Sequence, residues 1–295
     1  MCDEHTADDN EAYLAGVSRR QFGVMTGAMG LTMLLPAPAN AAVIRGRDVS
    51  ITTPDGKADA YFVAPTRGRH PAVLVWPDIM GLRPAFEQMA RRLAESGYAV
   101  LVVNQFYRST KAPFLAPGES YDQPAVRDRI TPWRAALTPA ATTADGGAFV
   151  DWLDQQKEVD PRRPIGSSGY CMGGPMTIRT AAARPARVRA VASFHGGGLV
   201  GDEPDSPDKL VARLKGGALI AVAQNDDARR PQDKDVLRAA FAAAKVPAEI
   251  EVYPADHGWC PPDSRAYDRV QAERAWTRQL ALFTKQLSKP LGGRA

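Results

Sequence analysis

Gly169-Tyr170-Cys171-Met172-Gly173-Gly174 follows an apolar stretch, residues 164–169, and opens a segment of helical periodicity, residues 172–183. Strand, tight turn and helix around the pattern G-x-nucleophile-x-G is the layout of a nucleophile elbow. Its glycines leave room for a strained backbone, and its central side chain stands above the sheet. Cysteine holds that central position here, and no G-x-S-x-G competes elsewhere in the chain. The turn also sets Cys171 at a helix N-terminus, where the macrodipole favours a thiolate.

The same alternation extends to both sides of the elbow. Apolar runs at residues 71–76, 98–103, 188–194, 218–223 and 249–253 suit strands buried on both faces of a parallel sheet. Helical patterns at residues 85–95, 144–156, 233–243 and 267–287 lie among them. Nearer the N-terminus, residues 49–52 and 58–64 alternate in polarity around Pro54-Asp55-Gly56, which predicts an antiparallel hairpin. The fold class is therefore α/β, a doubly wound, mostly parallel sheet with right-handed crossovers and an N-terminal hairpin. Residues 109–142, proline-rich and aperiodic, predict a partly helical excursion that serves as a lid or substrate wall.

Ligands of open parallel sheets bind outside the carboxyl ends of the strands, so chemistry is expected just after each run. An activated thiol needs an imidazole to take and return a proton, and a carboxylate to fix its tautomer. His5 lies near the N-terminus and His70 precedes its strand, which leaves His195 and His257. The order nucleophile, acid, histidine of α/β-hydrolases selects His257, because only His257 has strand-end carboxylates between itself and Cys171. His195, followed by three glycines, is read as a pocket-wall residue. The acid comes from Gln224-Asn225-Asp226-Asp227, which leaves Asp226 and Asp227 open. The oxyanion is expected to meet two backbone N–H groups, those of Met172 and Ile79.

Gly169-Tyr170-Cys171-Met172-Gly173-Gly174 resembles the G-Y-C-x-G-G signature of the dienelactone hydrolase family. Three further segments are similar to it: Trp76-Pro77-Asp78-Ile79-Met80-Gly81-Leu82, Asn104-Gln105-Phe106-Tyr107-Arg108, and Ala255-Asp256-His257-Gly258-Trp259. The resemblance spans residues 49–287 and implies an α/β-hydrolase fold and a small ester or lactone substrate, with no cofactor or metal. It selects Asp226 over Asp227 as the orienting acid. It also implies that Asp78, where the family often has glutamate, contacts the thiol, although Asp78 also suits a cap on the turn before Arg83-Pro84. Arg108, His195 and Trp259 become candidates for contacting substrate. One departure concerns selectivity: an arginine that binds the substrate carboxylate in the family is replaced by Pro261, with Arg265, Arg127 or Arg129 as substitutes to be tested.

Ahead of this domain, Ser18-Arg19-Arg20-Gln21-Phe22 is a twin-arginine pattern. A short glycine-diluted apolar stretch, residues 22–35, and Ala39-Asn40-Ala41 follow it. Together they predict a leader, residues 1–41, that engages the twin-arginine export machinery and is removed, leaving a single periplasmic domain at residues 42–295. Loss of the leader removes five acids and two bases and takes the formal charge from +4 to +7. The charges are mixed along the chain, without the basic blocks of a nucleic-acid groove, and the apolar stretch is too short for stable membrane insertion. Cys171 and Cys260 remain in the mature chain. They allow a second reading, a non-catalytic binding protein in which the two are bridged, and a thioesterase would share the same catalytic residues.

Overall fold

The computed structural model describes residues 35, 36, 38 and 41–292. The leader's arginine pair and most of its apolar stretch lie outside the described residues. Within them, eight strands form one sheet: β1 (Ile44–Thr53), β2 (Gly56–Pro65), β3 (Ala72–Trp76), β4 (Ala99–Val103), β5 (Ile165–Tyr170), β6 (Val188–Phe194), β7 (Gly217–Ala223) and β8 (Ala248–Tyr253). Their order is β1-β2-β4-β3-β5-β6-β7-β8. β1 and β2 form the expected hairpin, longer than its polarity pattern indicated, and β2 continues antiparallel onto β4. The other pairings are parallel.

The helices are α1 (Pro84–Glu95), α2 (Pro124–Ala135), α3 (Pro139–Asp154), α4 (Gly173–Ala183), α5 (Pro207–Leu210), α6 (Gln224–Arg229), α7 (Asp233–Ala243) and α8 (Arg269–Leu287). Side chains of a strand alternate between faces, and the contiguous apolar runs feed two cores. Ala72, Leu74 and Trp76 of β3 pack on one side with Phe149 and Leu153 of α3, Ile178 of α4 and Phe241 of α7. Val73 and Val75 pack on the other with Phe86 and Leu93 of α1 and Phe283 of α8.

Successive connections reverse direction at β3. The chain passes from β3 outward to β4, then back across to β5 on the other side. Such a switch point opens a crevice between neighbouring strand ends. Here the crevice lies between the segment leaving β3, Pro77-Asp78-Ile79, and the turn leaving β5, at Cys171. The excursion after β4 covers this edge. Phe114 packs with Phe106 and Trp133, at centroid distances of 5.5 and 5.3 Å, and a Cβ on Gly81 would lie 2.5 Å from its ring.

Candidate active site

The elbow forms as its glycines require. Cys171 follows β5 with φ at 52°, in the left-handed region that costs an ordinary residue roughly 1–2 kcal/mol. A Cβ on Gly173 would stand 2.3 Å from the Trp76 carbonyl and 2.7 Å from that of Pro77. Only glycine lets α4 begin directly against the exit of β3, and this brings Met172 and Ile79 to the same crevice. Neither the Ile79 nor the Met172 N–H donates to an acceptor among the described residues. Both residues are buried, and they flank the contact of Gly173 with the Trp76 and Pro77 carbonyls, beside the elbow.

His257 stands on the loop after β8. Its backbone N–H donates to Asn225 Oδ1 at 2.9 Å, and its Nδ1 lies 2.7 Å from Asp226 Oδ2. β7 runs straight into α6, with Asp226 in the first turn. The alternative acid, Asp227, is taken by Lys234 Nζ at 2.7 Å. Among the two carboxylates left open by the sequence, Asp226 is the one at the imidazole.

His195 joins the nucleophile to the base. The Cys171 N–H donates to His195 Nδ1 at 3.1 Å as well as to the Phe194 carbonyl at 3.0 Å. The His195 ring meets that of His257 edge-on at 5.0 Å. With Nδ1 accepting, the neutral ring carries its proton on Nε2. Burial pushes this imidazole well below its ordinary pKa, and His257 beside it adds to the effect. At 1% exposure His195 is no pocket wall; it lies behind the elbow.

Three other expectations are corrected. Trp259 has no exposed surface, stacks on Tyr253 at 5.2 Å and meets the His195 ring edge-on at 5.0 Å, so it packs behind His195 in the core and not against substrate. The Arg108 guanidinium is committed to Asp145, at 2.7 Å, and Asp55, at 2.6 Å, where it ties the hairpin to α3. The bridged reading fails because Cys171 and Cys260 are both free thiols, and burial pushes Cys260 well above the ordinary thiol range.

Asp78, expected from the resemblance to contact the thiol, is held by its own turn and by Arg83. Its Oδ1 accepts from the Met80 N–H at 2.9 Å, which caps the turn, and both its oxygens accept from Arg83, at 2.7 and 3.0 Å. Burial pushes this carboxyl up while Arg83 pulls it down. The arginines offered in place of Pro261 are also engaged: Arg265 pairs with Asp122, Arg129 with Glu119 at 2.6 Å, and Arg127 donates to the Asp122 carbonyl. The roles of Arg83, Asp263 and His195 went unread in the sequence. Their partners come from other segments of the chain, and the one local hint was Arg83-Pro84 at the start of α1.

Comparison with known proteins shows the family and the fold. The model of the dienelactone hydrolase family matches residues 58–287. A carboxymethylenebutenolidase of Rhodococcus opacus is 26% identical over 258 residues, 86% of this chain and 94% of that protein. A protein of Escherichia coli strain K12, provisionally assigned the same activity, is 27% identical over 271 residues, 90% of this chain and 95% of that one. The crystal structure of a protein from Klebsiella pneumoniae subsp. pneumoniae MGH 78578, provisionally described as a dienelactone hydrolase, superposes with a TM-score of 0.69. It is 27% identical, and the match covers 82% of this chain and 99% of that one.

Proposed function

Because the chain belongs to the dienelactone hydrolase family, and so is a hydrolase of ester or lactone bonds, we propose that it cleaves small neutral esters or lactones through an acyl-thioester on Cys171. The observation that carries this reading is the 2.7 Å contact of Asp226 with His257 Nδ1, made at the same strand edge as the left-handed elbow. Asp226 holds the His257 tautomer whose Nε2 is the proton acceptor. The Cys171 sulfur, its proton passed to His257, attacks the carbonyl carbon. The oxyanion is received by the N–H groups of Met172 and Ile79. As the carbon–oxygen bond of the leaving alkoxide breaks, His257 returns the proton to it. In a lactone that oxygen stays tethered to the acyl chain. Water, deprotonated by His257, then attacks the thioester and releases the acid and the thiol.

Neutral substrates are favoured because Pro261 replaces the family's carboxylate-binding arginine, and because Arg265, Arg127 and Arg129 already have protein partners. A thioester substrate would use the same groups, so the test is a panel of neutral esters, lactones and thioesters on wild type and Cys171→Ala. Acid quench of a slow ester should leave its acyl mass on the peptide containing Cys171. An unmodified peptide, together with near wild-type turnover by Cys171→Ala, would overturn the reading.

The leader supports a periplasmic location for this enzyme. Arg19→Lys with Arg20→Lys should leave the unprocessed chain in the cytoplasm, and mature periplasmic protein from that variant would refute export by this route.

A further inference from the structure

Arg83, at the start of α1, spends all five of its N–H donors. Nη1 donates to Asp78 Oδ1 at 2.7 Å and to the Gly81 carbonyl at 3.1 Å, and Nη2 to Asp78 Oδ2 at 3.0 Å and Asp263 Oδ1 at 2.9 Å. The fifth, Nε, donates to Asp263 Oδ2 at 2.6 Å. Two carboxylates thus grip one planar guanidinium, the geometry that arginine alone satisfies bidentately. Arg83 and Asp78 are buried, whereas the Asp263 side chain is 43% exposed. Asp78 belongs to the turn after β3, and Asp263 to the loop after His257, so the clasp ties one wall of the crevice to the other.

The groups it holds surround Ile79. Asp78 caps the Met80 N–H with Oδ1, its carbonyl accepts from Gly81 N–H at 2.9 Å and from Gln105 Nε2 at 2.7 Å, and Gly81 turns back with φ at 71°. The orientation of the Ile79 amide is therefore set by the residues on either side of it, and those are fixed by Arg83. His257 has separate anchors, Asn225 and Asp226. We propose that Arg83 is a positioning residue for the oxyanion hole, with Asp263 as its anchor across the crevice, so that the Ile79 N–H is aimed before substrate arrives. This deepens the thioester reading and rests on Ile79 as an oxyanion donor.

A donor displaced by about 1 Å costs up to ~100-fold in rate, and loss of one oxyanion donor costs ~100- to 1,000-fold. Asp263→Asn loosens only the half-exposed end and keeps the buried pair, so it should fold and lower kcat by about 10-fold, with KM within about twofold. Arg83→Lys, whose ammonium cannot fill two carboxylates, should lose about 100-fold. Alkylation of Cys171 by iodoacetamide develops no oxyanion, and its rate should stay within about twofold of wild type in both variants. A wild-type kcat in folded Asp263→Asn would overturn the assignment, as would a fall in alkylation parallel to that in kcat, which would place the effect on the thiol and His257. Should Arg83→Lys not fold, Asp263→Asn decides alone. Cys171→Ala separates this from the reaction itself. If that variant is inactive and the clasp variants are normal, only the clasp falls; if it turns over ester like wild type, the thioester reading and the clasp fall together.

Discussion

At the scale of single residues, two neighbours share one strained conformation. Cys171 and His195 end adjacent parallel strands, and their φ angles are 52° and 41°. Each bend costs roughly 1–2 kcal/mol, and the bond from the Cys171 N–H to His195 Nδ1 holds both bends together. That bond requires a neutral His195. An unfolded histidine titrates near about 6.5, whereas the buried ring titrates well below that value. Between the two, the unfolded chain binds a proton that the folded chain refuses. Stability is therefore full above about pH 6.5 and falls as the pH drops, by up to ~1.4 kcal/mol per unit, until the folded ring itself protonates. His195→Asn, which tolerates a positive φ, should unfold in urea with a weaker dependence on acid between pH 7 and 5. Parallel profiles would show that His195 does not carry the effect. Asp226 makes a second prediction. Since Lys234 occupies Asp227, that carboxylate is not free to replace Asp226 at the imidazole, and Asp226→Asn should lower kcat by about 1,000- to 10,000-fold. A loss under tenfold in a steady-state assay would show that another group fixes the tautomer.

Among the elements, the packing of α3 on α4 depends on a glycine pair that reads as unfavourable for a helix. A Cβ on Gly146 would lie 2.5 Å from Thr180 Oγ1 and 3.1 Å from its Cα, and Thr180 also accepts a bond from Trp76 Nε1 at 3.1 Å. Gly146→Ala improves helix propensity by about 1 kcal/mol, yet it forces the helices apart. The overpacking, about 1–3 kcal/mol, should win, lowering the urea midpoint with an unchanged m-value. This pair also explains what the sequence hid. Helix α3 begins at Pro139, with Thr138 capping Ala141 N–H at 3.2 Å, five residues before its apolar pattern becomes visible. A cap and an N1 proline inside a proline-rich stretch read as loop. α6 was missed for a related reason, since Asn and Asp favour turns as readily as first helical turns. The parallel strands were legible because burial on both faces leaves uninterrupted apolar runs. Strand ends and chain order, both local facts, were enough to nominate Cys171 and His257, whereas they left Asp226 and Asp227 open, and the 2.7 Å contact with His257 Nδ1 falls to Asp226. The Arg83 clasp was not legible, because Arg83 and Asp263 are 180 positions apart and nothing in either neighbourhood names the other.

For the molecule as a whole, the charge is plentiful but largely committed. The arginines considered for substrate binding sit in ion pairs or on carbonyls, so a basic protein need not attract anionic substrate into its crevice. Neutral esters should be turned over at least as well as carboxylate-bearing lactones, with kcat/KM changing less than about twofold between low and physiological salt. A strong, salt-sensitive preference for the charged lactone would contradict this. The segment between β4 and α3 bears on a different question. The proposed nucleophile, base, acid and oxyanion donors all belong to strand ends and the loops leaving them, whereas the cover over them, Phe114 and Trp133 included, belongs to one continuous insertion seated on Gly81. Chemistry and selectivity are then heritable separately. A lineage could exchange or recombine the insertion and acquire new substrates while its reaction stayed the same, and chimeras carrying a relative's segment should inherit that relative's preferences while keeping the thioester route proposed for this chain.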